Sequence, residues 1–257
     1  MVGQYRLVSF IDKHVESSTL PRTLLFEGEW GCGKHTLAAY TSEKLGIELL
    51  DITEMLNLDT LDQIALSATP RVYMINCSEI SVKDQNTILK FLEEPLKNSY
   101  IILLSENKSS LLNTVMNRCI CLSFEQYTVD ELAQFGEPSD FANTPGRVIE
   151  FQQYPILDMQ EFAKKVLLQI HSANHSNILT IPNRISFKTE EPGFPFDVFT
   201  YLLVNVASKL YCSGHIPYNV YLLTDTFYTD CKIPHINKRH LLEHYLIELK
   251  QVLDGGL

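Results

Sequence analysis

The segment Gly28-Glu-Trp-Gly-Cys-Gly-Lys-His35 follows the pattern GxxxxGK of a phosphate-binding loop. It comes after the apolar run Leu24-Leu25-Phe26 and before a helix-like stretch over 34–44, the strand–loop–helix setting that the motif requires. In such a loop the backbone N–H groups turn towards a polyphosphate, and the lysine reaches the terminal phosphates. The sequence therefore predicts the frame of a nucleotide site, built on Gly28, Gly31, Gly33 and Lys34.

The residue that follows the lysine departs from the motif. It is normally Ser or Thr, whose hydroxyl ligates Mg²⁺, but here it is His35, and Thr36 lies one residue out of register. Mg²⁺ requires oxygen ligands in near-octahedral geometry, which an imidazole nitrogen does not supply. We therefore expect no metal ion beside His35. If the loop binds a nucleotide, we expect that nucleotide to be ATP or ADP.

The composition is that of an ordinary globular protein. The chain has 257 residues, of which 45% are hydrophobic and 20% charged, enough for two or three compact units. Its formal net charge of −10 argues against a protein that grips a DNA backbone by itself. No run approaches the roughly 20 apolar residues of a membrane span, and the first residues lack a signal-peptide pattern. We expect a cytoplasmic protein with no membrane partner.

The cysteines form no metal-binding pattern. They are Cys32, Cys77, Cys119, Cys121, Cys212 and Cys231. The spacing of Cys119 and Cys121 places both on one face of a strand. Because no CxxC pair starts a zinc site, we expect free thiols in a reducing compartment and no zinc.

The first half of the chain alternates apolar runs with helical patterns, which is typical of a parallel sheet wrapped by helices. Strands are predicted over 23–27, 47–52, 72–76, 100–105 and 119–124, with helices over 34–44, 60–68, 83–92 and 109–116. The predicted fold is an α/β domain over 1–126 with a five-stranded parallel sheet. Ligands of open α/β sheets bind at the carboxyl edge of the strands, where Gly28, Cys77, Ser105 and Glu106 would gather.

Beyond residue 126 the pattern becomes helical. Thr128-Val-Asp-Glu131 has capping-box spacing, and Thr144-Pro-Gly-Arg147 precedes a second short helix, so we expect a helical lid over 127–155. An all-α domain is expected over 156–257, with four amphipathic helices, the first capped by Asp158 and Glu161. The second carries Phe199, Leu202, Leu203, Val206 and Leu210 on its apolar face, and the last two cover 217–231 and 237–252. The segment 177–195 is either functional or a flexible surface turn, and the sequence leaves that choice open.

Three further motifs lie in the second half of the predicted α/β domain. They are Gln85-Asn-Thr-Ile-Leu-Lys-Phe-Leu-Glu-Glu-Pro95, Tyr100-Ile-Ile-Leu-Leu-Ser-Glu-Asn107 and Leu111-Leu-Asn-Thr-Val-Met-Asn-Arg-Cys119. With the phosphate-binding loop, they resemble the clamp-loader branch of the AAA+ ATPases, most closely the bacterial delta-prime subunits of DNA polymerase III. Weaker likeness reaches 144–148, 185–191 and 237–243. The resemblance implies an AAA+ domain with a small helical lid, followed by a helical collar domain.

The resemblance implies roles for individual residues. Arg118 sits where the family has an arginine that projects into a neighbouring subunit's ATP site, with Asn117 in place of the family's Ser. The alternative reading of Arg118 is a surface arginine paired with an acid such as Glu125. The positions that would sense the terminal phosphate are Ser105, Asn107 and Arg147, and each has an ordinary structural role as its alternative.

The acidic pair that hydrolysis needs is missing from the end of the third strand. The family has Asp and Glu there, but this chain has Asn76 and Cys77, and Glu79 comes two or three residues late. Neither Asn nor Cys replaces a carboxylate that holds Mg²⁺ or orients water. We therefore expect nucleotide binding, at most, without hydrolysis. The zinc module of bacterial relatives has no counterpart over 38–70.

These implications predict a catalytically silent subunit of the DNA polymerase III clamp loader, a hetero-pentameric ring that places the sliding clamp on primed DNA. Arg118 would act on a neighbour's ATP, while the helices after residue 158 would join a collar with other clamp-loader subunits. Two alternatives stay open. One is an active P-loop ATPase or phosphotransferase with an unusual metal ligand, and the other is a stand-alone nucleotide-binding regulator.

Overall fold

A computed structural model describes residues 2–57, 61, 63–64, 67, 69–78, 80–93, 99–137, 139–172, 178, 180–188, 192–233 and 236–255. The chain divides into two compact units, Met1–Glu150 and Phe151–Leu257. The boundary at residue 150 falls inside the predicted lid over 127–155, so a separate lid subdomain stays a prediction.

The first unit is built on a five-stranded parallel sheet, which confirms the predicted fold class. Its strands are β1 (Thr23–Glu27), β2 (Leu49–Asp51), β3 (Val72–Asn76), β4 (Tyr100–Ser105) and β5 (Ile120–Ser123), in the order β2-β3-β4-β1-β5. Three of them have the predicted bounds, while β2 and β5 are shorter than predicted. Because β1 lies between β4 and β5, the order of strands reverses beside it, and ligand crevices of α/β sheets open at such points.

Six helices of the first unit are described. They are α1 (Tyr5–Glu16), α2 (Lys34–Leu45), α3 (Val82–Glu93), α4 (Asn113–Met116), α5 (Val129–Leu132) and α6 (Pro145–Phe151), whose last residue belongs to the second unit. Helix α1 was not predicted. The stretch predicted as a helix over 109–116 is a 3₁₀ turn at Lys108–Ser110 followed by α4. Most of the helix predicted over 60–68 lies outside the described residues.

Alternate residues of the strands supply two separate cores, one on each face of the sheet. On one face Leu25, Ile75 and Leu103 pack with Ile88 and Phe91 of α3. On the other face the core contains residues of β1, α1 and α2, namely Leu24, Phe26, Leu7, Ile11 and Leu37. The phosphate-binding loop follows β1, so its first residues leave from an interior strand that is packed on both faces.

The second unit is mainly helical, as predicted. Its helices are α7 (Ile156–Gln169), α8 (Phe196–Cys212), α9 (Tyr218–Asp230) and α10 (Lys238–Leu253). Helix α8 is the central one, because eleven of its 17 residues are buried and it contacts both α7 and α9. Two short strands, β6 (Ile185–Ser186) and β7 (Phe194–Pro195), pair in parallel within the segment 177–195. A 3₁₀ turn at Ile181–Arg184 precedes β6, and residues 177, 179 and 189–191 of this segment lie outside the described part.

The first residues of α5 and α7 test the two capping predictions. The capping box is confirmed, since Thr128 and Glu131 exchange the two expected hydrogen bonds at the start of α5. The predicted cap of Asp158 and Glu161 is wrong, because α7 begins two residues earlier, after Pro155, and Asp158 lies in its first turn. Among the described residues, none of the helices combines the length and apolar composition needed to cross a membrane.

Candidate functional site

The phosphate-binding loop connects β1 to α2, and its lysine is bonded to the loop itself. Lys34 is the first residue of α2, behind Gly33, whose φ of 101° lies in the left-handed region. The Lys34 Nζ donates to the carbonyl oxygens of Gly28 at 2.6 Å and of Glu29 at 2.9 Å. The side chain is buried, with 7% of its surface exposed. A phosphate would have to draw this ammonium away from two carbonyls before the lysine could bind it.

A segment of residues 143–147 lies against the tip of the loop. The backbone N–H of Gly146 donates to the carbonyl of Gly31 at 2.9 Å, and the Thr144 hydroxyl donates to the carbonyl of Trp30 at 2.9 Å. The two glycines are in backbone contact: a Cβ at Gly146 would lie 2.5 Å from the Gly31 Cα. Only glycine therefore fits at this crossing of the two segments.

Two further side chains hold the loop. The Asn143 amide donates to the Glu29 carboxylate, and the Tyr127 hydroxyl donates to the carbonyl of Cys32 at 2.6 Å. Burial raises the pKa of Tyr127 to about 12, so the hydroxyl stays protonated and remains a donor at neutral pH. The backbone carbonyls of Trp30, Gly31 and Cys32 at the loop tip are thus bonded to groups from 127–146, which fixes the conformation of the loop.

Arg147, the predicted basic residue of the lid, is held by its neighbours. Its guanidinium carbon lies 4.6 Å from the centre of the Trp30 ring, a cation–π distance. Its Nη1 is 2.6 Å from the Glu150 carboxylate, and only 10% of the side chain is exposed. The structure therefore places the Arg147 guanidinium against Trp30 of the loop and the Glu150 carboxylate, and a role in sensing phosphate stays a prediction.

The two residues predicted to sense a phosphate bond to each other. The fully buried Ser105 hydroxyl donates to the carbonyl of Asn107 at 2.9 Å and accepts from its N–H at 3.2 Å. The Asn107 side chain accepts from the Ser109 N–H at 2.8 Å and caps the 3₁₀ turn that follows β4. Both side chains thus shape the turn after β4, in line with their structural alternative.

The two positions at which Mg²⁺ would need ligands do not fit the ion. His35 and Thr36 are exposed on the first turn of α2. At the end of β3, the neutral amide of Asn76 accepts from the Ser78 N–H at 3.3 Å. Cys77 is buried, and burial raises the pKa of its thiol to about 12, so it is protonated at neutral pH and cannot serve as a base.

Other acidic or metal-binding groups do not compensate within the described part of the chain. Glu79 lies outside the described residues. The residues that are described contain no group of three or more His, Cys, Asp or Glu side chains able to hold a metal ion.

Arg118 lies in the turn between α4 and β5 and bonds to two groups of its own chain. Its Nη1 donates to the carbonyl of Thr114 at 2.7 Å, and its Nη2 donates to the Glu93 carboxylate at 2.5 Å. These bonds use two of the five N–H donors of a guanidinium, and a third of the side chain remains exposed. Glu125, the acid considered for this arginine, instead pairs with Arg6 at 2.9 Å.

Glu27 is a half-buried acid at the site that the sequence did not reveal. Its carboxylate accepts from the Ser123 hydroxyl at 2.5 Å and from both the N–H and the Nζ of Lys108 at 3.3 Å. Burial pushes its pKa up, but the bonds from Ser123 and Lys108 outweigh burial and hold the pKa below its ordinary value. An acid at the end of β1, directly before the loop, was the signal in the sequence. The carboxylate ties β1 to β5 and to the turn after β4.

The fold and the site define the class of protein. A parallel sheet in the order β2-β3-β4-β1-β5, with a GxxxxGK loop between β1 and α2, is the architecture of an AAA+ P-loop protein.

Sequence comparisons then narrow the class. Residues 47–128 match the family described as DNA polymerase III, delta subunit. A curated relative, DNA polymerase III subunit delta' of Bacillus subtilis (strain 168), is 31% identical over 68 residues, which are 26% of this chain and 21% of that protein. The match thus spans about a fifth of the relative's length. Together the two matches support a member of the clamp-loader family.

Solved structures also resemble the chain, at low identity. The RuvB Holliday junction branch migration motor of Thermotoga maritima has a TM-score of 0.44 and 15% identity, with coverage of 100% of this chain and 72% of that chain. A DNA polymerase III gamma subunit-related protein of Thermotoga maritima has a TM-score of 0.44 and 12% identity, with coverage of 95% and 99%. These TM-scores and identities are too low to assign the fold, which is assigned from the strand order.

Proposed function

We propose that this chain is a delta-prime-like subunit of the DNA polymerase III clamp loader, which hydrolyses no ATP itself and supplies Arg118 to the ATP site of a neighbouring subunit. The main support for the proposal is the difference between Arg118 and the chain's own phosphate-binding loop. Arg118 keeps three N–H donors and partial exposure, while the chain's own loop is bonded to Lys34 and to residues 143–146.

The loss of hydrolysis follows from the chain's own residues. His35 and Asn76 offer no anionic oxygen for Mg²⁺, and Cys77 is a protonated, buried thiol. Binding of ATP or ADP would also require Lys34 to exchange two short hydrogen bonds for a phosphate. These features support a subunit whose nucleotide site is a structural part of the fold.

The arginine acts through charge. As a terminal phosphate departs, negative charge develops on its oxygens, and an arginine supplied from a neighbouring molecule neutralises that charge. In well-studied nucleotide hydrolases this effect is worth about 10³–10⁵ in rate. The contacts with Thr114 and Glu93 restrict the guanidinium before it meets the phosphate, so less conformational entropy is lost when it does.

The partners follow from the same proposal. The AAA+ unit would stand in a hetero-pentameric ring with other clamp-loader subunits, and the helical residues 156–257 would contribute to a collar that joins them. The ring would act on the sliding clamp and on primed DNA within the DNA polymerase III holoenzyme, in the cytoplasm. The net charge of −10 fits a member that meets protein partners and leaves the DNA backbone to others.

The test is reconstitution with the partner motor subunits and measurement of the ATPase activity that DNA stimulates. We expect Arg118→Ala to assemble normally and to lower turnover at least about tenfold. Arg6→Ala is the matched control, because Arg6 is also a surface arginine in an ion pair, 86% exposed and paired with Glu125. Unchanged turnover with Arg118→Ala would remove the proposed role, whereas equal losses in both variants would point to a general effect of lost surface charge.

The alternatives make different predictions. An active ATPase with an unusual metal ligand would turn over ATP when pure and alone, and Lys34→Ala would abolish that turnover. A stand-alone nucleotide-binding regulator would bind ATP but would ignore the clamp-loader subunits. The bonded loop disfavours the first alternative, and the sequence matches over 47–128 disfavour the second.

A further inference from the structure

Helix α9 is apolar on two opposite faces, and only one of them is buried. The buried face carries Val220, Thr224 and Phe227, which pack in the helical unit. The other face carries Tyr218, Tyr221 and Leu222, spaced i, i+3 and i+4, with Tyr218 56% and Leu222 46% exposed. Large apolar side chains that remain exposed together on one helix face often mark an interaction site. The second face of α9 therefore has the composition of an interface.

Three tyrosine rings form an ordered surface on that face. Tyr211, at the end of α8, stacks on Tyr221 with ring centres 5.4 Å apart and an interplanar angle of 13°. Tyr218 lies 5.7 Å from Tyr211 and 6.3 Å from Tyr221. We call this surface, with Leu222, the tyrosine patch. The stacking of Tyr211 on Tyr221 joins α8 to α9, which is a structural role. Tyr211 and Tyr218 nevertheless remain 40% and 56% exposed.

Ordered aromatic rings are favourable binding surfaces. Tyrosine is enriched among the residues that contribute most to protein interfaces, together with tryptophan and arginine. Because the three rings already restrict each other, little side-chain entropy is left to lose when a partner covers them.

The charge beside the patch indicates the chemistry of the partner. Asp225 follows Tyr221 by four residues, on the same face of α9, and its negative charge is the main cause that raises the pKa of Tyr221. Lys209 precedes Tyr211 by two residues, about 200° around α8, so it points to another side of that helix. An acid beside exposed rings suits a guanidinium, which stacks on aromatic faces and pairs with carboxylates.

We infer that the tyrosine patch binds a neighbouring clamp-loader subunit through a helix that presents an arginine flanked by apolar side chains. The arginine would stack on Tyr218 or Tyr211 and pair with Asp225, while the apolar side chains would cover Leu222. A second copy of this chain would bring a second Asp225 to the contact, and a nucleic acid would bring phosphates, so both are disfavoured by charge. The inference depends on the proposed function, because the partner is a member of the same ring.

The experiment compares assembly of the full chain with the partner motor subunits by sedimentation at micromolar concentration. We expect Tyr218→Ser combined with Leu222→Ser to raise the dissociation constant at least about tenfold. Leu157→Ser is the matched control, since Leu157 is also in the helical unit and is 80% exposed on α7. We expect Asp225→Arg to weaken assembly as strongly, and Asp225→Asn less. Circular dichroism establishes that each variant is folded.

The outcomes separate the inference from the proposed function. If the wild-type chain assembles and the patch variants assemble equally well, the tyrosine patch is not the interface and the proposed function stands. If the wild-type chain binds no clamp-loader subunit, both fall together. Self-association that the double variant abolishes would assign the patch to a second copy, and binding of a single-stranded oligonucleotide that it abolishes would assign it to nucleic acid. Either result would overturn the inference.

Discussion

The Arg118 guanidinium and the Glu93 carboxylate meet at 2.5 Å, which joins two motifs that the sequence presents separately. Glu93 is the last residue of α3 and Arg118 follows α4. The arginine proposed to act on a neighbour is thus oriented by an acid of its own chain. An ion pair of this exposure contributes little to stability, so its importance would lie in orientation.

Glu93→Gln isolates that contact. We expect the free energy of unfolding to change by less than about 1 kcal/mol, measured by urea denaturation. Glu16→Gln is the matched control, because Glu16 is likewise the last residue of a helix, α1. Removing a negative charge at the carboxyl end of a helix relieves its repulsion with the helix dipole, so both variants gain a similar free energy of unfolding from this cause. The difference between the two variants gives the ion pair alone. A loss above about 2 kcal/mol would mean that the pair holds the fold together and has a mainly structural role.

The contact between Gly31 and Gly146 leads to a second prediction. Gly146→Ala would place a Cβ 2.5 Å from the Gly31 Cα, a backbone atom that cannot move aside cheaply. We expect a loss of about 1–3 kcal/mol from overpacking, despite the gain of about 1 kcal/mol that alanine brings to a helix. Hydrogen exchange should also become faster at residues 30–32, whose carbonyls bond to 127–146.

Gly46→Ala serves as the control for this experiment. Gly46 ends α2 with a φ of 67°, and a Cβ there would meet nothing within 4 Å. Its cost, roughly 1–2 kcal/mol, would come from the left-handed backbone alone, with no change in exchange at the loop. If Gly146→Ala proves neutral, the segment over 143–147 is not locked on the loop.

The sequence predicted β1, β3 and β4 well because these three strands are buried on both faces. Such strands are continuous apolar runs ended by polar residues or glycine, and β1, β3 and β4 have the predicted bounds. Helix α1 was missed, although Leu7 and Ile11 at i and i+4 mark its buried face. The sequence motifs also identified individual residues of the candidate sites, including Lys34 and Arg118.

The contacts of the site were not predictable, because they join residues far apart in the chain. Thr144 reaches Trp30 across 114 positions, and Glu27 reaches Ser123 across 96. Neither pair belongs to one periodic element, so no spacing rule indicates it. The same holds for Lys34, whose motif predicts a phosphate as its partner while the structure gives it carbonyls of its own loop.

The bonded loop leads to a prediction for nucleotide binding. We expect 1 mM ATP, with or without Mg²⁺, to raise the melting temperature by less than about 1 °C, since a ligand at its dissociation constant adds only about 0.4 kcal/mol. The physical reason is that binding must break both hydrogen bonds of the Lys34 Nζ. Thermal unfolding with and without ATP measures the shift. A rise of several degrees that Lys34→Ala abolishes would contradict this prediction and would establish a working nucleotide site.

Glu27 leads to the last prediction, on the pH dependence of stability. Its pKa in the folded chain is below the ordinary value of 4.5, so the unfolded chain binds its proton more readily. The carboxylate therefore stabilises the fold fully above pH 4.5, and this contribution is lost as the pH falls below 4.5 through the lower folded pKa. We expect Glu27→Gln to unfold more easily than the wild type at pH 7, with a difference that shrinks as the pH falls from 4.5 to about 3.

Urea denaturation at a series of pH values measures this difference. Ser123→Ala is the companion variant: it removes the donor at 2.5 Å from the Glu27 carboxylate, which lets the folded pKa rise towards its ordinary value and should flatten the pH dependence. A difference between wild type and Glu27→Gln that stays constant from pH 7 to about pH 3 would show that lost packing, and not lost charge, explains the effect. In that case the bonds from Ser123 and Lys108 would not act as the ties between β1, β5 and the turn after β4.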